Sequence, residues 1–305
     1  MHYTLHQLKV FTKVAEHQSI TRAAEELHLT QPAVSIQLKK LQEQFDIPLT
    51  EVIGRQLYVT DFGKRIKELS QKLLEEAALI NDTTNQYKGL LTGKVKISSV
   101  STGKYVIPYF LTDFVKEHPN IDLNIDVTNK NLVVDSLAKN ETDFALVSVL
   151  PDLALEAHSL MENKLYLVCG REYFKEIDKI KLSELHEYPW IFREQGSATR
   201  GAMESFLKKN DIVPQRTMKM VSNEAVKQAV AAGLGLSIMP VIGLRNELSL
   251  DLMRIIPIKA LPIITNWNLV YTKGKNLSPV SQALIAHIEK YKKDVITRHF
   301  KDDAI

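Results

Sequence analysis

One apolar stripe constrains this chain more than any other feature. From residue 61 to about 88, Ile66, Leu69, Leu73, Ala77, Ile80, Thr84 and Tyr87 recur at steps of three and four, the spacing of one helical face. So long a seam with polar flanks suits a helix that pairs with a copy of itself, the alternative being a helix laid on its own domain. It also divides the sequence. Before it the periods are helical; after it, beyond a glycine-bounded hinge at 89–93, strands alternate with helices.

A chain of 305 residues exceeds the size at which one hydrophobic core keeps growing, so two or three domains are expected. With 45% hydrophobic and 25% charged residues the composition is that of a folded globular protein. No apolar run has the length of a signal peptide core or a bilayer span, which leads to the expectation of a cytoplasmic protein. The single cysteine, Cys169, lies in the apolar run 165–169 and reads as a buried thiol rather than a nucleophile. An intrachain disulfide is excluded.

The first sixty residues place three helices. Over 4–17, Leu5, Leu8, Val10, Phe11, Val14 and Ala15 fall largely on one face. Ser19 can cap a short helix carrying Arg22, Ala23, Ala24 and Leu27. Thr30-Gln31-Pro32 then supplies the cap and first two positions of a third helix, where proline loses no intrahelical hydrogen bond. Val34, Leu38, Leu41 and Phe45 follow on one inward stripe, so the opposite surface offers Gln31, Ser35 and Lys39 with Pro32 and Ile36 beside them. Two β-prone pieces, 49–53 and 56–60 around Gly54-Arg55, read as a hairpin wing.

Such a helix can read DNA. Glutamine bonds adenine bidentately, serine donates or accepts, and proline or isoleucine meets a thymine methyl. Thr30, Arg22, Lys40 and Arg55 are placed for phosphate or minor-groove contact, which positions a protein without reading sequence. Net charge argues nothing here, because Lys9, Lys13, Arg22, Lys39, Lys40 and Arg55 are matched one for one by Glu16, Glu25, Glu26, Glu43, Asp46 and Glu51. On these residues alone, a solvated helix face in any helical domain remains open.

The runs 19–27 (SITRAAEEL), 30–35 (TQPAVS) and 38–41 (LKKL) resemble the winged helix-turn-helix of LysR-type transcriptional regulators. The similarity continues through Pro48-Leu49 and Thr60-Asp61-Phe62-Gly63 into the second half. Two positions depart from the family pattern: Thr50 stands for a phenylalanine and Val52 for an arginine, so the wing loses one cation while Arg55 remains. Within the family, the stretches 100–105, 118–119 and 193–200 resemble regulators of carbon-fixation operons.

The resemblance implies an α/β multidomain protein. A winged helix-turn-helix DNA-binding domain takes 1–60 and a linker/dimerisation helix and hinge 61–91. A two-lobed, periplasmic-binding-protein-like effector domain follows, with subdomain 1 at 92–163 and 268–305 and subdomain 2 at 164–267. The chain crosses between lobes near 162–164 and 262–267. Strands are read at 95–100, 121–127, 144–149, 165–169, 190–192, 218–221, 236–239 and 267–271. Helices are read at 102–117, 132–139, 199–209, 223–232 and 279–293, an alternation that suits largely parallel sheets.

The expected partners are an operator in double-stranded DNA, a small-molecule effector, a second copy through the linker helix with further pairing to a tetramer, and RNA polymerase. No cofactor or metal site is expected. The effector belongs in the cleft between lobes. Ser101 and Thr102 lie where a strand is read to meet a helix, whose free amides favour an anion. Ser197 and Thr199 hold the matching place in the second lobe, Lys104 and Arg200 add cations, and Ser148 and Asn223 line the same cleft. Each serine and threonine can equally be an ordinary helix cap.

An enzyme fits poorly. The nine histidines are scattered, with only His2 and His6 at helical spacing, and nucleophile-elbow, phosphate-loop and paired-cysteine motifs are lacking. A free-standing solute-binding protein would need a secretion signal in place of the helix-turn-helix.

Overall fold

The structure, a computed structural model, describes residues 2–54, 56–87, 90–175 and 180–300. Arg55 and the start of the expected hinge at 89–93 lie outside these residues. The chain forms two units, Met1–Leu90 and Leu91–Ile305.

Local signals set the first unit. Helix α1 (Leu5–His17) opens on a capping box between Thr4 and Gln7, and α2 (Ile20–Leu27) on Ser19, whose hydroxyl accepts from the Arg22 amide. After a left-handed turn at His28, α3 (Gln31–Gln42) is capped by Thr30 with Pro32 in its first turn. Ala23 and Ala24 are buried, and their small side chains let α2 approach its neighbours. Phe11, Val10, Val14, Val34, Leu41 and Leu49 are fully buried; truncating Phe11 to alanine costs about 3–5 kcal/mol by analogy with other buried aromatics.

The wing is a two-residue hairpin of β1 (Thr50–Ile53) and β2 (Gln56–Val59), with Ile53 opposite Gln56. Gly54, at φ +68°, takes the left-handed position that such a turn needs. Thr60 then starts α4 (Asp61–Tyr87), accepting from the Gly63 amide at 2.9 Å and donating to the Pro48 carbonyl at 2.6 Å. The stripe on α4 splits. Ile66 packs on the core of its own unit, whereas Leu69, Leu73 and Ile80 stay 45, 47 and 68% exposed.

The second unit runs β3 (Gly93–Val100), α5 (Ile107–Glu117), β4 (Ile121–Thr128), α6 (Lys130–Ala138), β5 (Phe144–Val147) and β6 (Leu155–Gly170). It continues with β7 (Pro189–Arg193), α7 (Ala198–Lys209), β8 (Arg216–Met220), α8 (Asn223–Ala231) and β9 (Ser237–Pro240). Last come α9 (Arg245–Ser249), β10 (Met253–Ile255), β11 (Ile263–Thr272) and α10 (Pro279–His299). The large sheet is mixed rather than largely parallel. β3 pairs in parallel with β4 and β5, but β11 is antiparallel to β5 and β6, and β6 to β9 and β10. A chain that goes out on one long strand and returns on another must make them antiparallel.

Besides a smaller cluster around Val168, Ile191 and Val230, two hydrophobic packings lie along that sheet. One gathers β3, β5, α5 and α10 around Phe110, Phe144 and Trp267; the other lies around Trp190, Phe206 and Leu167. The parallel pair β7–β8 joins the second through Leu236, which exchanges backbone bonds with Pro189 and Ile191 at 2.8 Å each. Cys169 is buried there, and burial pushes its thiol up to about 11, which suits a space-filling role.

The expected helix at 102–117 is corrected. Residues Ser101–Tyr105 form a tight three-residue-per-turn helix, and α5 begins only at Ile107. Pro108 fixes the start, since it lacks an N–H and fits only the first turn. Ser101 and Thr102 therefore do not stand at an α-helix N-terminus.

Candidate nucleic-acid interface and ligand cleft

The inward stripe of α3, Val34, Leu38 and Leu41, is buried, and Gln31, Pro32, Ser35, Ile36, Lys39 and Lys40 are exposed on its other side. Thr30 spends its hydroxyl on the Ala33 amide at 3.4 Å. Arg22 is exposed on α2. The apparent charge balance resolves locally. Lys13 holds both Glu16 and Glu26 at 2.7 Å, and His17 also holds Glu26. These bonds, Lys13 first and His17 second, keep the Glu26 carboxyl down at about 2. Among the described residues Arg22, Lys39 and Lys40 have no carboxylate partner, so their charge is presented outward. Val52 is 71% exposed on the wing, opposite Leu57 of β2.

In the second unit, two contacts bring the segment 101–105 against β7 and α8, and a third joins α6 to the turn before α7. Arg193, at the end of β7, is 5% exposed; its Nη2 donates to Ser101 Oγ at 3.0 Å, and its Nε and Nη2 bind Glu194 at 2.8 Å each. The Tyr105 hydroxyl reaches Glu224 in the first turn of α8 at 3.4 Å. Asn131, near the start of α6, stands against Gly196.

Around this line lie the residues read from sequence. Thr102 and Ser148 are buried. Lys104 is exposed, its Nζ 5.1 Å from the Tyr105 ring centre. Ser197 caps α7 by accepting from the Arg200 amide at 3.5 Å, and Thr199 is half-buried in that first turn. Arg200 bonds Glu204 at 2.7 Å and the Arg193 carbonyl at 3.1 Å, and stacks over Phe192. Asn223 is 1% exposed, and among the described residues neither atom of its amide has a hydrogen-bond partner. A buried polar group left without any partner costs about 1–3 kcal/mol. Sequence reasoning missed Arg193, Tyr105, Asn131 and Glu224. Arg193 and Tyr105 carried a signal, as the first residue of the stretch 193–200 and the last of the stretch 100–105.

Two family profiles match the chain: the bacterial regulatory helix-turn-helix protein, lysR family, over residues 5–64, and the LysR substrate binding domain over residues 88–292. The chain belongs to the LysR family of transcriptional regulators. This LysR-type regulator is 35% identical over 289 residues to a RuBisCO operon transcriptional regulator of Acidithiobacillus ferrooxidans, covering 94% of each chain. Among solved structures it resembles the regulatory domain of Synechocystis PCC6803 CcmR in complex with 2-PG, at 28% identity and TM-score 0.62 over 67% of this chain and 99% of that one. It also shares the fold of full-length OxyR from Pseudomonas aeruginosa, at 21% identity and TM-score 0.69 over 97% of this chain and 95% of that one. It is thus a DNA-binding regulator rather than an enzyme. Among the described residues no helix is long and apolar enough to cross a membrane.

Proposed function

We propose that this LysR-type regulator reads its operator with α3 and is controlled by a small anion held between two lobes, 92–163 with 268–305 and 164–267. Asn223 carries the reading: a buried amide with no partner among the described residues, at the start of the helix whose next residue faces Tyr105, is a group kept for a ligand. Ser101, Thr102, Ser148, Ser197 and Thr199 add hydroxyls, with Lys104, Arg193 and Arg200 as the cations. Glu194 occupies the Arg193 fork, and an arriving phosphate or carboxylate would compete with it for the same donors. The 2-PG in the complex of the related CcmR domain supports an effector of that chemistry.

On the DNA, Gln31, Pro32, Ser35 and Ile36 meet base edges, while Arg22, Thr30, Lys39, Lys40 and Arg55 contact the backbone. The exposed Leu69, Leu73 and Ile80 form the seam on which two copies of α4 pair, and dimers pair again into tetramers. RNA polymerase is the partner through which operator occupancy acts, in the cytoplasm. Ligand binding changes the angle between lobes and so the spacing of the DNA-binding units, a population shift that requires different affinities for the two assemblies.

Calorimetric titration of the full-length protein with 2-PG tests the cleft. Saturable binding, weakened at least about tenfold in Asn223→Ala, is the expected result. An Asn223→Ala protein that binds as the parent does, or a parent that does not bind, refutes the assignment.

A further inference from the structure

Away from that cleft, the second unit holds a cavity of about 510 Å³ on the crossing strands. Its walls come from β6 and β11, the turn Val241–Gly243 after β9, and the last turns of α10. None of the residues assigned to the cleft lines it. The volume falls in the range of pockets that bury small organic molecules, roughly 300–1,000 Å³.

The lining defines what fits. Met161, Val241, Ile242, Ile296 and Phe300 make it mainly apolar. Glu162 and Lys164 stand 3.8 Å apart and offset one another, so an ion of neither sign is favoured. Asn163 is 5% exposed; its Nδ2 donates to Thr265 Oγ1 at 3.0 Å, and Oδ1 has no partner among the described residues. Asn163 and Asn266, with Ser159, are the uncharged polar residues of the wall, and the Asn163 acceptor is unfilled just behind it. We infer that this cavity is a second small-molecule site, for a neutral, mainly apolar compound carrying one hydroxyl or N–H donor.

The position gives such a ligand a hold on the cleft. Ile242 follows β9 in the chain yet packs in the cluster of Phe110 and Trp267. Next to it, the Gly243 backbone lies so close to the Tyr105 ring that a Cβ there would stand 2.7 Å from Cε2. Tyr105 in turn reaches Glu224. Occupants of the cavity and the cleft therefore press on two ends of one contact chain, and any coupling between them is reciprocal.

Fluorine NMR titration of the full-length protein with para-fluorophenol, neutral at neutral pH, tests this site independently of the cleft. Saturable binding, weakened at least about tenfold by the cavity-filling Ile296→Trp and Met161→Phe and retained in Asn223→Ala, is expected. Absence of saturable binding overturns the inference. So does an affinity that a folded filling variant leaves unaltered, or one that falls with Asn223→Ala.

Discussion

Arg193 reaches Ser101 across the second unit with a 3.0 Å hydrogen bond, while the same guanidinium clasps Glu194 at 2.8 Å through two nitrogens. The two halves of this arrangement carry different energies. Removing one member of a buried ion pair strands the other, whereas removing a neutral acceptor costs a single bond. Arg193→Ala should therefore lower stability by about 3 kcal/mol and Ser101→Ala by about 1 kcal/mol. Urea unfolding followed by tryptophan fluorescence reports on this unit alone, since Trp190 and Trp267 are the only two tryptophans. Equal losses for the two variants would contradict the assignment of the charge to the ion pair.

Asn223 should behave in the opposite way. Its amide makes no hydrogen bond among the described residues, so Asn223→Ala gives up none and removes a desolvated polar group. The unfolding midpoint is expected to stay level or rise, by up to about 1 kcal/mol equivalent, in the same protein whose ligand affinity falls. A loss of about 2 kcal/mol or more would mark Asn223 as an ordinary structural residue.

Much of the first unit was legible because its determinants are close in sequence. Ser19, Thr30 and Pro32 set helix starts within a turn of themselves, and the Val34-Leu38-Leu41 stripe fixes which face of α3 is free. In the second unit the determinants are remote. The stretch of β6 from Leu155 opposite Thr272 to Leu165 opposite Ile263 is set by pairing with β11 about a hundred residues on, and its polar start hid it. Arg193 gave no sign of burial because what buries it is tertiary. The helix read at 102–117 failed on a local rule, the weight of Pro108, which ought to have moved its start.

Glu26 links α2 to α1 through Lys13 and His17. Its folded value near 2 lies below the ordinary 4.5, so the link stabilises fully above about 4.5 and is lost as pH falls through 2. Lys13, His17 and Glu26 keep 29, 34 and 43% of their side-chain surface in solvent, which keeps the effect small. Thermal unfolding of Glu26→Gln beside the parent should show a difference at neutral pH that closes across that window. A difference that persists unchanged to the acid end would place its origin elsewhere.

Residues of α2, α3 and the wing divide into two kinds. Ser35→Ala should relax base preference, whereas Arg22→Ala should weaken binding to all duplexes and flatten its salt slope by about one. Val52→Arg, at a position 71% exposed, should tighten binding to all duplexes and steepen that slope. Titrations on operator and scrambled DNA at two salt concentrations distinguish these patterns; equal losses on both duplexes for Ser35→Ala would remove its base-reading role.

The most direct test of ligand control is a footprint and bend measurement of the full-length protein on its own upstream intergenic DNA, with and without a saturating small phosphorylated carboxylate. The account expects the protected region and the bend to change on ligand addition in the parent protein and to stay fixed in Asn223→Ala. A ligand that saturates the cleft by calorimetry while footprint and bend remain as they were would contradict it.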